Sequence, residues 1–154
     1  MTEWGRGAKA GLVSGLIYGI LSGVIWAAGF AVFVPLEEIR EVYFPAKLFM
    51  EFGPEFSLET LRMIGVVSMF IAGIILGIVF GTIFGVIFAP TYMILPGKAS
   101  LTKGIIFWVV FCILLPLAGV VLFGYICWIT AINFIPMIIY GALLGLFWDR
   151  FAPK

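Results

Sequence analysis

The sequence predicts an all-α integral membrane protein: four transmembrane helices arranged as two antiparallel hairpins with glycine-zipper packing. Three observations carry that prediction. The chain of 154 residues is 64% hydrophobic and 11% charged, with a mean hydropathy of +1.23, outside the range of soluble domains. Its ionisable groups fall in a few islands: Arg6 and Lys9, Glu37 to Arg62, Lys98 and Lys103, and Asp149 to Lys154. Two of the apolar stretches place a small residue at every fourth position, first Gly11, Gly15, Gly19, Gly23, Ala27 and Ala31, then Gly73, Gly77, Gly81, Gly85 and Ala89.

Crossing about 30 Å of hydrocarbon takes about 20 apolar residues. The first span, 8–34, meets that length and carries Lys9 only at its edge. Its apolar run exceeds the core of a secretory signal, and no small-residue cleavage site follows, so it reads as a retained span. Residues four apart lie almost above one another on a helix, so Gly11 to Gly23 form a groove down one face. In water each interior Gly costs about 1 kcal/mol against Ala. In lipid that cost is offset, because the groove lets a second backbone come close.

An acidic loop, 35–62, follows. Between Pro35 and Thr60 it holds six Glu against Arg40 and Lys47. Pro35-Leu36-Glu37-Glu38 suits a helix start, with Leu36, Ile39 and Tyr43 on one face and Pro45 ending the segment. Ala46 to Phe52 is a second short apolar piece, and short surface-lying helices that cover the span ends fit both. Ser57 is placed to cap the second span, 63–88, which repeats the glycine spacing.

Gly104 to Trp148 is apolar throughout, but one helix of about 45 residues would be about 67 Å long. A turn near Phe123 and Gly124 divides it into spans 104–122 and 125–148. A turn at Asn133 to Pro136 would leave the last helix too short to cross. The basic clusters Arg6/Lys9, Lys98/Lys103 and Arg150/Lys154 then share one side, which predicts a multi-pass cell-membrane protein with both termini cytoplasmic and the acidic loop outside. Trp4 and Trp148 fit the inner interfacial belt and Trp128 the outer one, while Trp26 and Trp108 lie deeper.

The segments repeat internally. Ala10-Gly11 through Trp26 can be laid on Ala72-Gly73 through Phe88 with small, branched and aromatic residues in matching places. Tyr140-Gly141-Ala-Leu-Leu-Gly145-Leu-Phe-Trp148 is a shorter echo, so Gly141 and Gly145 join the expected packing positions. Two hairpins descended from one duplicated unit would produce this pattern. So would convergence on the few residues that close packing allows.

Absences narrow the chemistry. There is no His, the commonest general base and metal ligand. Asp, Glu, Lys and Arg are missing from the span interiors, which argues against proton relays, ion-coupled transport and catalysis there. No metal site or cofactor is expected, and a net charge of +1 gives no general affinity for nucleic acid. Cys112 and Cys127 stand inside apolar helices, where a free Cys is usually a small hydrophobe. Gln is absent and Asn133 is the single Asn, which fits a thermophilic source and equally an apolar membrane chain. Gly97-Lys98 lacks the Ser or Thr and the upstream Gly of a phosphate loop.

One constellation stands out. Pro116 and Pro136 sit at similar distances from the cytoplasmic ends of their spans, and each frees the carbonyl four residues earlier, those of Cys112 and Ile132. Asn133 is one turn from Pro136. Interrupted helices at matching places of two halves point to a transporter's binding site. The sequence therefore supports a small non-enzymatic membrane protein, an oligomeric channel or carrier for a small solute along Cys112, Pro116, Ile132, Asn133 and Pro136. The alternative is an accessory or scaffold subunit whose glycine faces dock on other membrane helices. The expected partners are the lipid bilayer and either further copies of the chain or other membrane subunits.

Overall fold

The computed structural model describes residues 2–39, 56–123 and 134–152, with 115–123 and 134–135 described as backbone. These residues form four α-helices and one 3-10 turn, with no strand among them. The helices are α1 (Glu3–Phe33), α2 (Leu58–Thr91), α3 (Ser100–Phe123) and α4 (Phe134–Arg150), and the turn is Leu36–Glu38. Two of them, α1 and α2, are long and apolar enough to cross a membrane. The rest of the acidic loop, 40–55, lies outside the described residues, as do 124–133. The latter hold the expected outer part of the fourth span.

Local chemistry sets the helix ends. The Thr2 hydroxyl accepts from the Gly5 N–H at 3.3 Å, and Glu3 follows in the first turn, where a negative charge suits the helix dipole. Ser57 caps α2 in the same way, accepting from the Thr60 N–H at 3.2 Å. At the far end of α1 the Arg62 guanidinium donates to the Ala31 carbonyl, one of the acceptors that a helix C-terminus leaves open. Between α2 and α3 the chain reverses through Gly97 at φ +116°, a conformation side-chain-bearing residues rarely adopt.

α1 and α2 run antiparallel in backbone contact over most of their length. A Cβ built on Gly11 would press on the Gly81 carbonyl and lie 2.8 Å from the Gly85 Cα. Gly15 stands in the same relation to Gly77 and Gly81, and Gly7 to Gly85. On Gly19 a Cβ would come within 2.8 Å of the Gly73 carbonyl oxygen, and on Gly23 within 2.6 Å of the Phe70 one. Small residues permit this approach, and hydroxyls along it bond to their own helix: Ser14 to the Ala10 carbonyl at 2.7 Å and Ser22 to that of Tyr18 at 2.8 Å.

α3 and α4 cross in the same register at the end of the bundle that carries the termini. A Cβ on Gly104 would press on the Gly141 carbonyl and lie 2.8 Å from the Gly145 nitrogen, as Gly11 does against Gly81 and Gly85. A Cβ on Gly141 would lie 2.7 Å from the Gly104 oxygen, and one on Gly81 would lie 2.7 Å from the Gly11 oxygen. Gly145 abuts the Ser100 carbonyl as Gly85 abuts that of Gly7. Thus Gly7, Gly11, Gly81 and Gly85 correspond to Ser100, Gly104, Gly141 and Gly145.

The hairpins join mainly through aromatic side chains at this terminal end. Ala10, Phe88, Phe107, Trp108, Cys112, Tyr140, Leu144 and Trp148 form one buried core. Phe88 and Trp148, at corresponding positions of the two hairpins, meet edge-to-face at 5.4 Å. A smaller cluster of Phe30, Ile39 and Leu61 closes the far end of α1 and α2, and Ile39 there anchors the described start of the loop.

Candidate functional site

Two layers of the bundle gather the chemically distinctive side chains. The first lies partway along the junction of the hairpins. Cys112, on α3, donates from its thiol to the Met137 sulfur on α4 at 3.6 Å, and Pro136 is buried beside Met137. One turn toward the terminal end, the Trp108 ring stands edge-to-face with Tyr140 at 4.9 Å, and Tyr18 of α1 meets Tyr140 at 5.8 Å. The Tyr140 hydroxyl donates to the Gly81 carbonyl at 2.8 Å, so a side chain of α4 is bonded into the α1–α2 crossing. Such a bond satisfies a polar group that would otherwise be stranded among apolar neighbours. The indole N–H of Trp108 has no acceptor among the described residues, although its atoms are buried. A buried donor left unpaired is uncommon in native structures.

Of the residues on the expected solute path, Cys112 and Pro136 are brought to this layer. Pro116 is placed in the backbone of α3, one turn beyond Cys112, and the helix continues through it to Phe123. Ile132 and Asn133 lie outside the described residues. The packing glycines fall as given above: Gly11 to Gly23 against α2, Gly73 to Gly85 against α1, and Gly141 and Gly145 against α3.

The second layer caps the terminal end, and the sequence did not single it out. Arg6 Nε donates to the Trp148 carbonyl at 2.6 Å, and its guanidinium lies 4.2 Å above the Trp148 ring. Trp148 stacks on Tyr92 at 4.9 Å, and Lys103 lies 4.2 Å above the Tyr92 ring while donating to the Tyr92 carbonyl at 2.8 Å. The result is a four-layer stack, cation–ring–ring–cation, drawn from α1, α4, the end of α2 and α3. Beside it runs a hydrogen-bonded chain in which the Ser100 hydroxyl donates to Asp149 at 2.5 Å and therefore accepts from the Tyr92 hydroxyl, also at 2.5 Å. Trp148, expected in the lipid interface, is instead 2% exposed, because Arg6, Phe88 and Tyr92 enclose it.

This second layer ties helices together and offers no ready nucleophile. Ser100 is 4% exposed, with its proton committed to Asp149 and a lone pair to Tyr92. Among the described residues no group of three or more His, Cys, Asp or Glu could hold a metal ion. A signal for the stack was available. In so apolar a chain, Arg6, Tyr92 and Asp149 each border a different apolar segment, and Ser100 and Lys103 border the remaining one, all at the same end. Compared with protein-family models, curated proteins and solved structures, the chain has no match.

Proposed function

We propose that the chain is a four-span membrane protein with cytoplasmic termini that moves a small neutral solute, working as a homo-oligomer and without catalysis. One observation carries the reading: the two hairpins cross through corresponding contacts, with Gly11 on Gly81 and Gly85 as Gly104 is on Gly141 and Gly145. Carriers built from repeats hold their solute between the repeats near mid-depth, where helices are interrupted. The junction of these hairpins brings Cys112, Met137 and Tyr140 together beside Pro136, with the Trp108 N–H, which has no acceptor among the described residues, one turn away. An N–H donor, a thiol and carbonyls released by proline suit an uncharged solute able to accept and donate hydrogen bonds. Asn133, one turn before Pro136 in the sequence, would add its amide to that path.

The aromatic core fills the terminal half, so this arrangement is closed on the cytoplasmic side. Glycine-zipper packing is spent inside the chain in this reading, since the grooves of α1 and α2 fill one another. That removes the docking faces on which an accessory role would rely. Reconstitution into liposomes tests the proposal. Osmotically driven entry of glycerol or urea should exceed that of protein-free liposomes, and Asn133→Leu should lower it severalfold while the protein still inserts. Unchanged flux in Asn133→Leu would take Asn133 out of the path, and no flux of either solute through the unaltered protein would end the transport reading. Native mass spectrometry in mild detergent should give a fixed homo-oligomer; a strict monomer would overturn that part.

A further inference from the structure

We infer that the terminal end of the bundle binds the phosphodiester headgroups of anionic lipids, an inference that rests on the membrane reading above. Five cations from four segments collect there: Arg6 and Lys9 on α1, Lys98 in the reversal before α3, Lys103 in the first turn of α3, and Arg150 ending α4. Among the described residues the acids at the same end are Glu3 and Asp149. These cations divide into two kinds. Arg6 and Lys103 are turned inward, held by the Trp148 and Tyr92 carbonyls and rings. Lys9, Lys98 and Arg150 make no hydrogen bond or ion pair with any described residue, and Lys98 and Arg150 are exposed. Asp149, next to Arg150 in the chain, is occupied by the Ser100 hydroxyl at 2.5 Å and lies 3.9 Å from Arg6. Three positive charges are thus left without a counter-charge from the described chain.

What stands beside them identifies the occupant as lipid. Trp4 is 56% exposed and Ile94 84% exposed, both at this same end, with Met93 likewise exposed. Apolar side chains projecting beside free cations match a surface where acyl chains meet phosphates, and Trp favours that depth. A free phosphate ion would gain nothing from the apolar groups. Each basic residue near an anionic bilayer surface strengthens binding roughly fivefold, and salt screens the effect.

Electron spin resonance on the full chain in phosphatidylcholine bilayers tests the inference, with spin-labelled phosphatidylglycerol and spin-labelled phosphatidylcholine as probes. At about 0.05 M salt the protein should hold phosphatidylglycerol at least about fivefold in preference, and at about 1 M salt the preference should vanish. Lys9→Gln, Lys98→Gln and Arg150→Gln combined should abolish it at low salt. Equal association of the two lipids with the unaltered protein would overturn the inference, as would an undiminished preference in the triple variant. Loss of the preference on adding millimolar inorganic phosphate at constant ionic strength would reassign the site to the free ion and overturn the lipid assignment. Flotation with the liposomes and resistance to alkaline carbonate separate the two readings. A chain that fails to insert defeats the membrane reading itself, whereas an inserted chain with no lipid preference defeats this inference alone.

Discussion

Glycines in this chain differ by what a side chain at each position would meet. Gly29 has nothing within 4 Å of a built Cβ, although it lies in the same helix as the packed ones. Gly29→Ala should therefore stabilise the protein by about 0.5–1 kcal/mol through helix propensity alone. At Gly81 a Cβ would lie 2.5 Å from the Gly15 Cα and 2.7 Å from the Gly11 oxygen, both backbone atoms that cannot swing aside. The same carbonyl that Gly11 covers, that of Gly81, also accepts from the Tyr140 hydroxyl, so parting α1 from α2 would disturb α4 as well. Gly81→Ala should lose about 2 kcal/mol despite its propensity gain, in the range seen when a tight core is overfilled. Unfolding of both variants by denaturant in mild detergent measures the difference, and equal stabilities would contradict it. The larger Gly19→Leu and Gly81→Leu should not fold.

At the level of elements, the hairpins differ in sequence more than in contact. The correspondence of Gly7 and Gly11 with Ser100 and Gly104 is not legible in the sequence, because α3 matches only Gly104 to the five glycines, Gly7 to Gly23, that α1 places at every fourth position. It emerges only when Gly145 is seen to meet the Ser100 carbonyl as Gly85 meets that of Gly7. Gly85→Ala and Gly145→Ala should consequently cost similar amounts, about 1–3 kcal/mol each, since each would set a Cβ 2.7 Å from a backbone Cα of the partner helix. Calorimetry in detergent checks this, and a harmless Gly145→Ala would break the equivalence. The positions of α1 and α2 were legible because charge-free apolar length is a strong signal. Which aromatic face turns inward was not. Lipid is as apolar as a protein core, so a buried Trp148 and a lipid-facing one look alike in sequence. For the same reason the sequence presents Tyr140, whose hydroxyl links the hairpins, only as part of the glycine echo. Cys112 and Pro136 could be named beforehand because a thiol or a proline in an apolar helix is conspicuous by type alone.

Over the whole molecule, the terminal end is shut by groups contributed from every helix, and the ion pair is their weakest part. Arg6 lies 3.9 Å from an Asp149 that is 64% exposed, a geometry in which a salt bridge contributes little. More of the closure comes from the Trp148 ring, which Arg6 covers, Tyr92 stacks upon and Phe88 meets edge-on. If the junction at Cys112 and Tyr140 is a solute path, this ring closes it toward the terminal end of the bundle. Trp148→Ala should then raise glycerol or urea flux per inserted protein severalfold, even though loss of so large a buried side chain destabilises the fold. Trp4→Ala, at the same end but outside the stack, should leave flux unchanged. The pair separates a seal from general loosening. A purely structural Trp148 would lower flux along with the folded fraction, so only a rise confined to Trp148→Ala supports a seal. Asp149→Asn should leave the flux close to that of the unaltered protein, because Asn still accepts from the Ser100 hydroxyl and the Trp148 ring stays in place.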